Sequence, residues 1–262
     1  MSKAIGVFDS GVGGLTVAKE IIRQLPNENI IYFGDTARVP YGIRSQETVI
    51  RYSVDDALFL LKHDVKLICV ACNTASSVAL PVIKNHFKVP VIGVISPGAK
   101  EGVYASRNKR IGVIGTRGTV KSRSYEKEIW RLDPKIRVFT QACPLFVPFA
   151  EEGCLSGPEI KTIAARYLKP LKQAKIDTLI LGCTHYPLLK PVIKEIMGRD
   201  VVLIDSAKQV ALEVKNILTN EGLLNGKHKA VYKFFVSDNP DWFSGLARRF
   251  LGRAVKGVKV NV

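Results

Sequence analysis

Short runs of β-branched and other apolar residues alternate along this chain with longer stretches in which apolar residues recur every three or four positions. The short runs predict strands, and their nearly continuous apolar character is typical of strands buried on both faces. The longer stretches predict amphipathic helices that cover a sheet, so we predict an α/β fold with mostly parallel sheets flanked by helices. Strands are predicted at residues 4–8, 30–34, 67–71, 91–95, 111–115, 137–141, 178–181, 201–204 and 232–236, and helices at 15–24, 45–63, 122–130, 158–173, 188–197, 207–221 and 242–250.

The pattern also repeats itself after a nearly constant interval. A repeat of this length is far longer than a solenoid period, so it indicates two similar, pseudo-symmetric α/β domains that face each other. We predict a first domain from residues 1–97 plus 207–262 and a second from 98–206, with an active site in the cleft between them. Four strings return in the same order, at residues 5–7 and 111–113, 67–72 and 179–183, 80–84 and 190–194, and 91–96 and 201–206.

The composition is that of a soluble globular protein. Its 262 residues, of which 47% are hydrophobic, are enough to bury a substantial core. No uncharged apolar run reaches the roughly 18 residues that a membrane-spanning helix needs. The start of the chain reaches the acidic Asp9 too soon for a secretory signal. We therefore expect a cytoplasmic protein with no membrane partner.

The formal net charge of +16 would attract acidic metabolites or nucleic acid. The basic residues are spread along the chain, and the densest stretch, residues 107–123, has no interleaved aromatic residues on which bases could stack. A solvated basic surface is therefore the preferred interpretation. Nucleic-acid binding stays as a less favoured alternative from a different functional class.

Five cysteines occur in the chain, and this odd number argues for free thiols rather than a disulfide framework. Cys69 and Cys72 form a CxxC pair, but Cys69 lies within a predicted strand and no second pair follows, so we expect no metal site. Cys143 and Cys154 are expected to be structural. The remaining question is whether Cys72 and Cys183 are reactive.

A glycine-rich loop at residues 11–14 follows the first predicted strand. Its spacing differs from the dinucleotide-binding fingerprint, and no Gly-Lys-Ser/Thr follows, which disfavours a nucleotide site. The loop is either a plain turn into a helix or a turn that presents Asp9 and Ser10 to a small ligand. Ligands in parallel sheets bind beyond the carboxyl ends of the strands, where these residues lie.

Cys72 and Cys183 occupy equivalent positions in the two repeats, each just after a strand. If the two domains face each other, the two thiols enter one cleft from opposite sides. We expect each to have a lowered pKa beside a helix N-terminus, so that one removes a proton from a carbon and the other returns one to the opposite face. The resulting carbanion needs neutral donors around its carboxylate. Such donors are available from Asn73, Thr74, Thr116, Thr119 and Thr184.

Two further residues have open interpretations. His185 either assists Cys183 as an acid or base, or is a structural histidine. Asp9 either assists Cys72 on the first side, or caps a helix.

At these residues the chain strongly resembles the glutamate racemases of the aspartate/glutamate racemase superfamily. The resemblance covers nearly the whole length and implies a cofactor-independent isomerase that supplies D-glutamate for peptidoglycan synthesis. It also implies a homodimer. Racemisation of aspartate or another acidic substrate on the same scaffold is the alternative. The matching strings are VFDSGVGG at 7–14, YFGDT at 32–36, VPYG at 39–42, ACNTA at 71–75 and LGCTHYP at 181–187.

The resemblance implies roles for individual residues. Cys72 and Cys183 would be the acid/base pair, with Asp9 and His185 as assisting residues. Glu151 matches a family glutamate in a Val-Pro-x-x-Glu pattern at 147–151. The positions that would hold substrate are Asp9, Ser10, Tyr41, Gly42, Asn73, Thr74, Thr116, Thr119, Thr184 and His185.

Overall fold

The computed structural model describes residues 3–262. Met1 and Ser2 begin the segment that is expected to lack a secretory signal, and they lie outside the described residues. Two sheets form, and every strand pair in them is parallel. The first sheet contains β1 (Ala4–Asp9), β2 (Asn29–Gly34), β3 (Val65–Val70), β4 (Val91–Gly93), β9 (Tyr232–Val236) and β10 (Gly257–Lys259). The second contains β5 (Arg110–Gly115), β6 (Arg137–Ala142), β7 (Thr178–Gly182) and β8 (Val202–Ile204).

The strand orders explain the sequence repeat. The first sheet has the order β10-β9-β2-β1-β3-β4, and the second has the order β6-β5-β7-β8. The four strands β2-β1-β3-β4 therefore correspond one to one with β6-β5-β7-β8. The C-terminal strands β9 and β10 extend the first sheet beside β2, as predicted for the tail. The two pseudo-symmetric α/β units are confirmed, while the boundaries at residues 97 and 207 stay a prediction.

Helices surround both sheets. Their bounds are α1 (Leu15–Gln24), α2 (Gln46–Leu61), α3 (Asn73–Val78), α4 (Leu80–His86), α5 (Ile95–Ala105), α6 (Arg117–Ser122), α7 (Ser124–Leu132), α8 (Phe146–Glu152), α9 (Pro158–Gln173), α10 (Lys190–Met197), α11 (Ser206–Asn220) and α12 (Pro240–Leu251). Short 3-10 turns lie at Tyr41–Ile43 and Tyr186–Leu189. No helix within residues 3–262 is long and apolar enough to cross a membrane.

The central strands are buried on both faces, as their continuous apolar character predicts. Every residue of β1, β3 and β7 is buried, whereas the edge strand β6 is partly exposed. Apolar clusters fill both faces of each sheet, and α1 and α11 pack against one another over the first. This burial fixes the carboxyl ends of β1, β3, β5 and β7, from which the functional loops extend.

The structure differs from the predicted elements at several places, since α3, α4, α5, α6 and α8 correspond to no predicted helix. Two differences have a clear local cause. The strand predicted at residues 91–95 ends at Gly93, and α5 begins at Ile95, because the apolar run also supplies the buried face of a helix. The helix predicted at 122–130 begins at Ser124. Arg123 adopts a left-handed conformation with φ of 56°, which separates α7 from the unpredicted α6.

Candidate active site

Cys72 and Cys183 lie at equivalent strand ends, in the same cavity. Cys72 follows β3 and immediately precedes α3, while Cys183 follows β7 directly. Each is 6% exposed, and both line a narrow cavity of about 30 Å³ between the two sheets. The repeat therefore brings two thiols together from opposite sides, as the sequence predicts. Cys72 Sγ lies 3.6 Å from Ser10 Oγ, and Cys183 Sγ lies 3.8 Å from His185 Nδ1.

The electrostatic environment of Cys72 keeps its thiol protonated. Burial, followed by the charge of Asp9, raises the pKa of Cys72 to about 12. Backbone and Ser10 hydrogen bonds act in the opposite direction but are outweighed. The expectation that a helix N-terminus lowers the pKa of this thiol is wrong, because α3 spans only residues 73–78 and the sulfur is desolvated.

On the other side of the cleft, His185 joins Cys183 to Glu151. His185 Nε2 lies 2.9 Å from Glu151 Oε1, while Nδ1 faces the Cys183 sulfur. Burial alone would lower the pKa of His185, but its contacts with Cys183 and Glu151 prevail and raise it to about 10. The imidazole is therefore an imidazolium at neutral pH, a form that favours negative charge in the cleft.

A residue of the first sheet's C-terminal helix holds Glu151 in place. Glu151 lies in the last turn of α8, which ends where the amide of the C-cap Gly153 donates to the carbonyl oxygen of Ala150. Arg249, from α12, donates from Nη1 to the carbonyl oxygens of Ala150 and Glu151. Its guanidinium lies so close to Gly153 that an added Cβ would be 2.6 Å from Nη2. The neighbouring Phe250 ring contacts His185 edge to face, with centroids 5.2 Å apart.

Asp9 lies behind the lining of the cavity, between the turn after β1 and Thr184. Its fully buried carboxylate accepts a hydrogen bond from the Gly11 amide at 3.0 Å and one from Thr184 Oγ1 at 3.4 Å. Burial raises the pKa of Asp9, opposed by the charge of His185 and by the backbone amides of Gly14 and Gly11. Asp9 does not cap α1, whose N-cap Gly14 has no side-chain hydrogen bond, because the carboxylate instead closes the turn at Gly11 and contacts Thr184 of the facing sheet. Its assistance to Cys72 stays a prediction.

Three threonines form a hydroxyl cluster where the two halves meet. Thr74 Oγ1 lies 2.9 Å from Thr116 Oγ1 and 3.3 Å from Thr119 Oγ1. Thr116 also caps α6 by accepting a hydrogen bond from the Thr119 amide. Asn73 also lines the cavity, and its Oδ1 accepts a hydrogen bond from the Tyr125 hydroxyl at 2.8 Å. Several neutral donors therefore converge beside the thiols.

The other cysteines lie outside this constellation. Cys69 packs in the apolar cluster on one face of the first sheet and Cys72 in the cluster on the other, so the CxxC pair does not converge. Cys143 is buried, whereas Cys154, expected to be structural, is exposed. Among residues 3–262, no group of three or more His, Cys, Asp or Glu side chains is arranged to hold a metal ion.

Comparison with known proteins decides the family. The family model described as Asp/Glu/Hydantoin racemase matches residues 5–214. A glutamate racemase of Geobacter metallireducens is 53% identical over 251 residues, which cover 95% of this chain and 93% of that protein. The chain belongs to the Asp/Glu/hydantoin racemase family. It is therefore an isomerase of the amino-acid racemase class.

Solved structures agree with this assignment. A glutamate racemase isoform from Bacillus anthracis superposes on this chain with a TM-score of 0.96 at 42% sequence identity. The superposition covers 99% of this chain and 98% of that protein. A glutamate racemase from Francisella tularensis, solved in complex with D-glutamate, superposes with a TM-score of 0.93 at 38% identity, covering 100% and 98%. The racemase fold thus extends over the full chain.

The Tyr41 side chain of the racemase points away from its cleft. Residues 39–42 line the cavity, but the Tyr41 hydroxyl is hydrogen-bonded to Asp35 and Asp56 behind the wall. Gly42 meets Thr116 so closely that an added Cβ would lie 2.6 Å from the threonine Cβ. The Gly42 backbone therefore packs directly against Thr116.

Four residues that support the racemase site were not among those predicted from the sequence. Tyr125 holds Asn73, Arg249 holds the helix of Glu151, and Arg38 with Asp56 surrounds the Tyr41 hydroxyl. Arg38 lies three residues before Tyr41, and Asp56 lies in the next helix along the chain. Their charges among apolar neighbours could have marked them as candidates from the sequence. Tyr125 and Arg249 carry no local signal, because their partners are far away along the chain.

Proposed function

We propose that this chain interconverts L-glutamate and D-glutamate, with Cys72 and Cys183 as a paired acid and base and without a cofactor. One observation carries the proposal: the two thiols end equivalent strands of facing sheets and line a single cavity. Two proton-transferring groups on opposite sides of one carbon are what inversion of a stereocentre requires.

The proton transfers balance within the pair. One sulfur, as thiolate, takes the α-proton from one face of the substrate and becomes a thiol. The electron pair stays on the α-carbon and its carboxylate, and the second thiol gives its proton to the opposite face. The enzyme then holds the proton on the other sulfur, ready for the reverse reaction. Asp9 beside Cys72 and His185 beside Cys183 assist the two sides with groups of different charge.

The surroundings suit an anionic amino-acid substrate. Ser10, Thr74 and Thr116 offer hydroxyl groups at the cavity, and His185 adds positive charge. Donors positioned before reaction stabilise the charge that develops on the carboxylate. Glutamate is favoured over aspartate because the relatives that match at full length are glutamate racemases. A circular dichroism assay on both substrates tests this choice, and faster aspartate turnover would reverse it.

Substitution of each thiol tests the mechanism. Cys72→Ser and Cys183→Ser should each lower kcat by about 10²- to 10⁴-fold, the usual contribution of a general acid or base. Cys154→Ser is the matched control, because that thiol is exposed and outside the cavity. Full racemisation by either cleft variant would exclude the two-thiol mechanism.

Solvent deuterium distinguishes two bases from one. In D₂O, early product of inverted configuration should carry deuterium at the α-carbon, while the remaining substrate keeps its proton. Proton NMR combined with circular dichroism measures both pools. Equal early exchange in the unreacted substrate would indicate a single base that returns protons to either face.

Several broader properties follow from the proposed activity. D-glutamate made by the chain would supply peptidoglycan synthesis in the cytoplasm. Activity should survive dialysis against EDTA and need no added pyridoxal phosphate. A homodimer is the proposed assembly; exposed apolar residues such as Ile43 (63%) and Tyr104 (88%) are available for an interface. Sedimentation equilibrium tests the assembly, and a single monomeric species would exclude it.

A further inference from the structure

A cluster of buried charged side chains lies behind the wall of the cleft, apart from the groups that transfer protons. Asp35 follows β2 and Asp56 lies within α2, and both are 0% exposed. Arg38 lies between them, donating from Nε to Asp35 Oδ2 at 2.6 Å and from Nη2 to Asp56 Oδ1 at 3.0 Å. Its Nη1 reaches Asp55 Oδ2 at 2.8 Å, on the more exposed side of the cluster.

The Tyr41 hydroxyl lies between the two buried carboxyl groups. Its oxygen is 2.5 Å from Asp35 Oδ2 and 2.9 Å from Asp56 Oδ2. A phenol has a single proton to donate, and an ionised carboxylate can only accept. If both carboxyl groups were ionised, one of these two oxygen pairs would have no proton between them. One carboxyl group must therefore carry a proton of its own.

The hydrogen-bond partners assign that proton to Asp56. Asp35 accepts from three donors, namely Arg38 Nε, the Tyr41 hydroxyl and Ser237 Oγ at 2.8 Å, as an ionised carboxylate does. Asp56 accepts from Arg38 through Oδ1 only, which leaves Oδ2 free to donate to the Tyr41 oxygen. The chain of donors then runs from Asp56 through Tyr41 to Asp35.

We infer that Asp56 holds a proton in the folded racemase and that, through Tyr41, it is a positioning residue for the wall of the cleft. This inference deepens the proposed function and rests on it, since the wall matters only if substrate binds beside it. Burial, followed by the charge of Asp35, raises the pKa of Asp56 well above its ordinary value, which agrees with the proton count.

The positioned wall reaches the substrate donors through Gly42. Gly42 follows Tyr41 directly and packs against Thr116, which belongs to the threonine cluster of the cleft. A shift of the Tyr41 ring would therefore move the backbone that abuts these hydroxyl groups. The thiols are held by β3 and β7 instead, so a shift of the wall should raise KM more than it lowers kcat.

Alkaline pH should weaken this arrangement and thereby raise the KM of the parent protein. When Asp56 loses its proton, the Tyr41 oxygen faces two carboxylates, and one hydrogen bond of the chain is lost. The groups that face Asp56 come from its own helix and from the segment after β2, and they are Asp55, Asp35, Arg38 and Tyr41. Asp55 and Asp35 can carry negative charge, and Arg38 supplies the single positive charge. Burial raises the pKa of Tyr41 well above its ordinary value, so the phenol keeps its proton.

Asparagine substitutions at the two carboxyl groups test the inference. Asn reproduces the hydrogen bonds of a protonated aspartate, so Asp56→Asn should keep KM within about twofold of the parent and abolish the alkaline rise in KM. Asp35→Asn should raise KM by about fivefold or more, because an amide nitrogen would face groups that donate. Asp55→Asn, at the exposed end of the cluster, is the matched control. Equal KM increases for Asp56→Asn and Asp35→Asn would overturn the inference.

A direct measurement makes the test independent of catalysis and of the folding of Asp35→Asn. In protein labelled with ¹³C at the aspartate carboxyl carbon, the signal that is missing in Asp56→Asn should have the shift of a protonated group at neutral pH. An ionised shift would overturn the inference, even if Asp35→Asn does not fold. Full racemisation by the Cys72→Ser or Cys183→Ser variant would contradict the proposed function but leave the Asp56 signal unchanged. Failure of the proposed function and failure of this inference can therefore be told apart.

Discussion

His185 Nε2 lies 2.9 Å from Glu151 Oε1, and this ion pair connects the thiol side of the second sheet to a helix that Arg249 of α12 holds. The geometry gives His185 one nitrogen for Glu151 and one for Cys183. The imidazole is thus held by Glu151 on one side while its Nδ1 faces Cys183 in the cleft. Substitutions along this chain of contacts should change its protonation before they change the fold.

The stability of the protein should decline at alkaline pH through His185. The pKa of His185 rises from 6.5 to about 10 on folding, so the folded state binds this proton more tightly than the unfolded chain. Its stabilising contribution is therefore complete below pH 6.5 and is lost as the pH rises towards about 10. Glu151→Gln should decline less over this range, because a partner that raises the pKa is gone. Urea unfolding at a series of pH values measures both; parallel declines would contradict the assignment.

Arg249→Ala should impair catalysis through Glu151. Loss of the guanidinium frees the last turn of α8, and a small displacement of the carboxylate should lower kcat roughly tenfold. Arg248→Ala, on the same helix and exposed, is the control. Combining Arg249→Ala with Glu151→Gln should cost no more than Glu151→Gln alone. Fully additive losses in kcat would mean that Arg249 acts independently of Glu151.

Gly13→Ala should disturb the cleft by steric overlap. An added Cβ would lie 2.2 Å from Thr184 Oγ1 and 2.5 Å from the His185 ring. We expect a loss of about 1–3 kcal/mol in the free energy of unfolding, together with a sharp loss of activity. Gly11→Ala tests the same loop without the overlap, since its nearest neighbour would be 3.5 Å away. Comparable effects of the two substitutions would argue against this contact.

Lys66→Met should destabilise the fold from a site distant from the cleft. Lys66 Nζ lies 2.6 Å from Glu28 Oε2, and the two side chains are 3% and 2% exposed. Removing the lysine leaves a buried, unpaired carboxylate, which should cost about 3–5 kcal/mol. The exposed pair Lys3–Asp64 gives the control, because Lys3→Met should change stability by about 1 kcal/mol or less. Urea unfolding compares the two variants, and equal effects would contradict the argument from burial.

The sequence alone predicted the α/β fold, the repeat and the pairing of Cys72 with Cys183. Strands buried on both faces require continuous apolar runs, and a duplicated unit places equivalent residues at equivalent strand ends. These signals are local or periodic, so they can be read without knowing which elements touch. The bounds of α1 and α9 were predicted to the residue for the same reason.

Tertiary structure alone decided how the site is held and charged. The raised pKa of Cys72 depends on desolvation and on Asp9, and the support of Glu151 depends on Arg249, almost a hundred residues away. The direction of the Tyr41 hydroxyl depends on Asp56 in a different helix. Burial and contacts between distant residues set these properties, and neither can be read from the local order of residues.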